Sequence, residues 1–378
     1  MGGVIGSQNL FQNFKMQIPH YTRIHNRFLL NGYPYDRNGL KEVAYSFIKE
    51  GDQYEKYMGD FLMDWLDASE TIELVTSGTT ASPKLMLFKK QALVNSAIAT
   101  GEYFNVSVGD SALHCLPANF IAGKMMLIRA MILGFSLDLV SPARNPFHKN
   151  TKTYDFVAMT PMQAFHSLAN LDQVKTLIVG GAFVSKSLQN ALLKTSVKAY
   201  ETYGMTETLS HIAVRTMEDP PSEFRVLPYV EISQDDRGCL IVNSDLLQVD
   251  HFVTNDAIEL KENGCFRLIG RVDEVINSGG IKLHPQQIER KLAEVLSLHF
   301  FIGGVADAEL GQKVILAIKR TPSLDLNSLI EKIKNHNRLE NFECPKSIYV
   351  FDEFSETNSG KIKRKETLNT KPNQVLDL

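Results

Sequence analysis

The sequence predicts an α/β protein. It reads as a large N-terminal domain of parallel strands covered by helices, carrying a small β-rich subdomain, followed by a small α+β C-terminal domain. Three observations predict it. Between residues 112 and 182, apolar β-favouring runs alternate with stretches whose apolar residues fall at helical spacing, the pattern of a parallel sheet covered on both faces. From Phe224 to Leu268, short β-rich runs are broken by turn residues at Asp235-Asp236-Arg237-Gly238 and Glu262-Asn263-Gly264, the texture of a small antiparallel or barrel-like unit. At Gly270 to Glu274 the texture changes again, into a compact mixture of helix and strand.

Taken in order, Leu40, Val43, Ala44, Phe47 and Ile48 recur with the period of an amphipathic helix. Tyr54, Tyr57, Met58, Phe61, Leu62 and Trp65 predict a second helix, whose aromatic stripe is read as core. Ile72, Leu74 and Val75 predict a buried strand and residues 89–104 a helix, with a loop of small and hydroxyl residues between them. Ala112–Leu116, Ser136–Val140, Phe156–Met159 and Val174–Val179 predict strands. Lys124–Leu133 predicts a helix, and Pro161 opens another, at a position where proline costs little. In the last hundred or so residues, Pro285–Leu298 and Leu326–Leu339 predict helices, and Lys313–Lys319 and Ser347–Phe351 predict strands.

Composition narrows the function classes. Of 378 residues, 44% are hydrophobic and 22% charged, as in an ordinary soluble globule. A net charge of -3 gives no reason to expect a nucleic acid partner. Cys115, Cys239, Cys265 and Cys344 form no CxxC pair, so neither a zinc site nor a disulfide framework is indicated, and reduced thiols in the cytoplasm are expected. No apolar run has the length of a membrane span. The N-terminal stretch is too short in its apolar part for a signal peptide, and Gly6 stands where a myristoylation start needs Ser or Thr.

Five stretches carry candidate chemistry. In VTSGTTASPKL (Val75 to Leu85), the backbone at Gly78, the hydroxyls of Thr76, Ser77, Thr79 and Thr80 and the ammonium of Lys84 are the parts of a phosphate cradle, and equally of a polar turn. It is not a Walker A loop: only one glycine precedes Lys84, and Leu85 follows it in place of Ser or Thr. YGMTET (Tyr203 to Thr208) suits the first turn of a helix. GRVDEVINSGG (Gly270 to Gly280) has the composition of a domain linker, and SGKIKRK (Ser359 to Lys365) that of a solvated charge run. Gly180-Gly181-Ala182 lies at the end of a predicted strand, where ligands of open α/β sheets bind.

In their order and spacing, these stretches resemble the adenylate-forming enzymes, the family of acyl-CoA synthetases, luciferases and peptide-synthetase adenylation domains, from about Ile72 to Leu368. The resemblance implies ATP and a small-molecule carboxylic acid as substrates, coenzyme A as co-substrate and Mg2+ as cofactor. It implies a catalytic set of Lys361, Thr206 and Glu207, with Glu207 also on the metal. It places Thr76, Ser77, Gly78, Thr79, Thr80 and Lys84 on the β- and γ-phosphates, Gly180, Gly181, Ala182 and Tyr203 on adenine, Thr206 at the α-phosphate, and Asp256 and Arg271 on the ribose. It divides the chain into residues 1–271 and a mobile unit, 272–378, turning about a hinge near Asp273. Phe120 stands where the family has a histidine, Ala81 and Leu85 where glycine is usual, Asn255 where glycine precedes the aspartate, and Ser355 in place of a proline.

Within the family, YGMTETLSHIAVR resembles o-succinylbenzoate–CoA ligases of menaquinone synthesis, whose acid carries two carboxylates. The unreacting one needs a cationic or hydrogen-bonding partner in an apolar pocket. Phe120, Gly123, Lys124, Ser210 and His211 are the expected acid-site residues, with Lys124 also readable as a solvated helix-start lysine, His211 as a surface or core histidine, and Arg215 as the partner of a surface carboxylate. The alternatives are a ligase for another aryl or fatty acid, an adenylation enzyme that loads a carrier protein, and a non-catalytic binding protein on the same scaffold. Retained Lys84, Glu207, Asp256, Arg271 and Lys361 speak against the last.

Overall fold

A computed structural model describes residues 18–75, 84–148, 151–218, 222–296, 298–322, 324–357 and 361–378. Four strands of the parallel core follow the predicted alternation and a fifth, Lys198–Gly204, was not expected: Ser136–Leu139, Ser111–His114, Tyr154–Met159, Val174–Val179 and Lys198–Gly204 lie side by side in that spatial order. The period of two sorts their side chains. Phe156, Ala158 and Ile178 enter a core beneath helices Lys90–Tyr103 and Ile121–Leu133. Val157, Met159, Leu177 and Val179 enter a second core on the opposite face, closed by Ala164 of helix Pro161–His166 and Leu188 and Leu192 of helix Lys186–Leu192. Thr160 caps the first of these short helices by accepting from the Gln163 N–H, with Pro161 at its first helical position.

The β-rich stretch is antiparallel, as its turns indicated, but it is hydrogen-bonded onto the parallel sheet. His211–Thr216 pairs antiparallel with Lys198–Gly204, Phe224–Val226 pairs with it in turn, and Cys265–Arg271, Val249–Leu260, Cys239–Ser244 and Glu231–Gln234 extend the same sheet. The hydroxyl-rich loop is also set differently from expectation. Strand Thr71–Val75 is followed by a strand, Leu85–Lys89, that folds back on it before the helix begins at Lys90. Ile72 and Leu74 are buried while Val75 is exposed, the alternation of a hairpin with one wet face.

A second sheet begins at Ile276. Gly311–Lys319 pairs with Phe300–Asp307, with Ser347–Phe351 and, through one bridge, with Ile276–Ser278. Helices Pro285–Leu292 and Leu326–Lys334, shorter than predicted, bury Ile288, Leu292, Leu329 and Ile333 against Leu316, Ile318 and Val350. Among the described residues, no helix is long and apolar enough to cross a membrane.

Strand Ser111–His114 ends in a histidine buried in the large domain, whose Nε2 lies 3.1 Å from the Gly123 carbonyl. Burial pushes its pKa down from 6.5 to about 4. The unfolded chain therefore binds a proton that the fold refuses. The stability tied to neutral His114 is complete above the unfolded value of 6.5 and is lost as pH falls toward the folded value. Between the unfolded value of 6.5 and about pH 5 the loss from this one group is about 2 kcal/mol. Thermal melts should fall over this window, and a His114→Gln variant should show a shallower fall.

Candidate active site

Tyr203, Asp256, Arg271 and Lys361, all singled out from sequence, come together near the C-terminal ends of the parallel strands. Antiparallel register sets Asp256 opposite Arg271. Asp256, itself buried, accepts from the Tyr203 hydroxyl at 2.6 Å through Oδ2, and its Oδ1 lies 3.5 Å from Arg271 Nη1. The same guanidinium donates to both oxygens of Asp273 at 2.9 and 2.8 Å. Burial, then the Asp256 carboxylate, raises the Tyr203 pKa well above that of a free phenol, so the hydroxyl stays a donor. Lys361 reaches the same spot from beyond the second sheet. It is half-buried, burial lowers its pKa, and its ammonium feels the carboxylates of Asp256 and Glu207 and the guanidinium of Arg271. Cations and anions from three separate stretches therefore converge beside the strand ends. Gly180 and Gly181 border the same edge: a Cβ on Gly180 would lie 2.2 Å from Thr202 Oγ1, and Gly181, at φ +84°, faces open space.

Beyond Tyr203 the chain makes one 3₁₀ turn, Thr206–Thr208, rather than the start of a helix. Leu209, fully buried, closes it at φ +63°, a conformation a branched side chain rarely takes. The turn is braced by Thr208 Oγ1, 3.2 Å from the Met205 carbonyl and 3.0 Å from the Ser210 carbonyl. Gly204 permits the close return, since a Cβ there would lie 2.1 Å from the Ser210 oxygen.

The result is that Ser210 and His211 are carried onto Arg129. This arginine sits in helix Ile121–Leu133 at 2% exposure, its Nη2 2.6 Å from Ser210 Oγ and 3.4 Å from His211 Nδ1, and its Nε 3.3 Å from Thr100 Oγ1. Among the described residues no carboxylate pairs with it, and burial lowers its pKa to about 10. Because Nδ1 of His211 faces a donor, hydrogen-bond logic assigns the ring proton to Nε2, a buried atom with no partner among the described residues. Burial and then Arg129 hold the His211 pKa well below the usual imidazole value, so the ring is neutral. A guanidinium, a hydroxyl and an imidazole N–H thus share a buried cluster that, among the described residues, contains no anion.

The family model described as AMP-binding enzyme matches residues 70–239. An acyl-CoA synthetase (AMP-forming)/AMP-acid ligase II-like protein from Dyadobacter fermentans is 32% identical, over 87% of this chain and 97% of that one, with a TM-score of 0.56. The chain belongs to the AMP-binding, adenylate-forming enzyme family. Among more distant relatives of this adenylate-forming enzyme, a 2-succinylbenzoate–CoA ligase of Listeria monocytogenes is 23% identical over 85% of this chain and 74% of its own length. An o-succinylbenzoate CoA synthetase from Bacillus subtilis, solved with an acyl-adenylate intermediate, shares the fold at a TM-score of 0.71 and 20% identity, covering 80% of this chain and 69% of that one.

Not every expected residue joins the cluster of this adenylate-forming enzyme. Thr76, Ser77, Gly78, Thr79 and Thr80 lie outside the described residues, and Lys84 is exposed where the hairpin resumes. Phe120, half-buried, precedes helix Ile121–Leu133 at its N-cap position. Gly123 has a packing explanation: a Cβ there would lie 2.3 Å from the Pro117 oxygen. Lys124 is half-buried; its ammonium lies 5.7 Å from the centre of the Phe61 ring and feels Asp64. Arg215 pairs with Glu201, a buried carboxylate rather than a surface one, while lying over the Phe224 ring at 4.7 Å. Arg129 was not anticipated. The signal was there to read: IAGKMMLIRAMIL is apolar around its whole circumference, and a cation in its middle is out of place unless something answers it.

Proposed function

We propose that this adenylate-forming enzyme is an acid–CoA ligase for an aromatic dicarboxylic acid of the o-succinylbenzoate type, serving menaquinone synthesis in the cytoplasm. One carboxylate oxygen of the acid attacks the α-phosphorus of ATP, the bond to pyrophosphate breaks, and the adenylate forms. The sulfur of coenzyme A then attacks the acyl carbon, and the bond to AMP breaks. Both reactants of the first step are anions, so the site must neutralise and align them.

In this reading Asp256 and Arg271 hold the ribose, Tyr203 and the Gly180–Ala182 edge flank adenine, Thr206 reaches the α-phosphate, and Thr76 to Thr80 with Lys84 hold the outer phosphates. Lys361 bridges the reacting carboxylate and the α-phosphate. Among the described residues no three acidic, histidine or cysteine side chains form a metal cage. Glu207 fits the role of a lone protein ligand to a Mg2+ that arrives on the triphosphate, since that ion keeps its waters and takes few protein oxygens. The metal supplies charge neutralisation on the phosphates. Residues 272–378 would move as a unit about Asp273, whose bidentate pair with Arg271 would then remake on closing.

The observation that carries the dicarboxylate is the Arg129–Ser210–His211 cluster. An unanswered buried cation costs several kcal/mol, and a second carboxylate on the acid would answer it. The test is ATP–pyrophosphate exchange with a panel of acids. The expected result is exchange that depends on added acid and is fastest with o-succinylbenzoate, by tenfold or more over aryl and fatty monocarboxylates. A monocarboxylate leading by that margin refutes the dicarboxylate reading. Nucleotide binding without exchange would mark a binding protein.

A further inference from the structure

We infer that Phe104 is a specificity-determining residue, a plug separating the acid site from a cavity at the opposite edge of the sheet, so that it sets how long an acid the enzyme accepts. This rests on the Arg129–Ser210–His211 cluster being the acid site. A cavity of about 430 Å³ opens among the first residues of strands Tyr154–Met159, Val174–Val179 and Lys198–Gly204. That is the N-terminal edge of the sheet, across from the Tyr203–Asp256 site. Its walls include the rings of Tyr103, Phe104, Phe156 and Tyr200, and its rim carries Lys175 and Lys198.

Phe104 belongs to both places. It follows helix Lys90–Tyr103 as its C-cap residue, and its ring lies 5.1 Å from Tyr200 and 5.6 Å from Phe156, the cavity walls. Centroid to centroid it is also 6.2 Å from His211, in edge-on contact. His211 in turn meets Arg129. One ring therefore links the buried donors to the open cavity, and trimming it should join the two spaces. The edge-on contacts fix the ring on several sides, so in the intact protein it is a wall rather than a gate.

Acids that extend beyond the carboxylate held by Arg129, Ser210 and His211 would meet Phe104. A hydrophobic wall discriminates by roughly 10- to 200-fold for each methylene it excludes. The experiment uses the full-length enzyme and acid-dependent pyrophosphate release. It compares the acid preferred by wild type with ring-extended forms carrying methyl, propyl or phenyl at each open position. Phe104→Leu, Phe104→Val and Phe104→Ala form a graded series, each checked by circular dichroism and thermal melt. The expected result is a rise of about tenfold or more, in the alanine variant, in kcat/KM for at least one extended acid relative to the parent, with leucine and valine between. Adding Thr176→Trp, which fills the cavity from another of its lining positions, should cancel the gain. A ratio that stays flat across the folded members of the series overturns the plug. Failure of the acid-site reading shows separately, as an Arg129→Met variant whose kcat/KM for dicarboxylate relative to monocarboxylate is unchanged from wild type.

Discussion

Lys361→Ala should slow formation of the adenylate by about a hundredfold or more, measured as acid-dependent ATP–pyrophosphate exchange. Thioester formation from supplied acyl-adenylate and coenzyme A should stay near wild type. The reason is charge. Opposite unit charges about 4 Å apart attract by roughly 4 kcal/mol at an effective dielectric near 20, enough to offset much of the repulsion between a carboxylate and a triphosphate. Lys361 is suited to that work because it is half-withdrawn from water and already faces Asp256, Glu207 and Arg271. Its stretch is fastened nearby: Arg364 Nε lies 3.1 Å from Glu274, Nη2 donates to Glu289 at 3.0 Å, and Nη1 to the Ile302 carbonyl at 3.0 Å. Alanine at 361 removes the ammonium and leaves that fastening intact, so the loss should appear in the rate of the first step and not in melting temperature. Equal losses in both half-reactions would refute the assignment of Lys361 to adenylation alone.

What could be read from the sequence follows the range of the forces involved. The pattern that sorts Phe156 and Ala158 to one face and Val157 and Met159 to the other is short-range, and four of the parallel strands lie within two residues of their expected bounds, whereas Lys198–Gly204 was not expected as a strand. Strand Leu85–Lys89 was not expected because its string, LMLFK, is short and apolar without a period, and only pairing with Thr71–Val75 makes it a strand. Thr206 and Glu207 looked like a helix start, and the chain does begin a turn there. Leu209 then takes a positive φ and ends it, a choice made by packing around the turn and invisible in the local string. The site divides in the same way. Asp256, Arg271 and Lys361 could be named from motifs, but the Tyr203–Asp256 hydrogen bond spans 53 residues and exists only in the fold. Arg129 and Ser210 are 81 residues apart, so sequence pointed to Ser210 and His211 without the cation they serve. Lys124, five residues earlier in the chain, was the visible cation, and its position on the helix turns it toward Phe61.

Arg129→Met should separate the two acid classes. For a dicarboxylate such as o-succinylbenzoate, kcat/KM should drop by about a thousandfold, the scale of roughly 4 kcal/mol for removing one partner of a buried, hydrogen-bonded charge pair. For an aryl monocarboxylate of similar shape it should hold or rise, since the second carboxylate is then absent and the pocket has become apolar. The protein itself should lose little: methionine fills much of the arginine's volume, and exchanging a buried ion for an apolar side chain is often neutral or stabilising. His211 offers the internal control. With Nδ1 no longer facing a guanidinium, the second of the two causes depressing its pKa disappears while burial remains, so its pKa should move up toward, without reaching, the usual value. Proton NMR of the ring, or the pH dependence of acid affinity, would register that shift in the free enzyme. A thousandfold loss for both acid classes with an unchanged His211 would mean that Arg129 holds the helix in place and does not bind the acid.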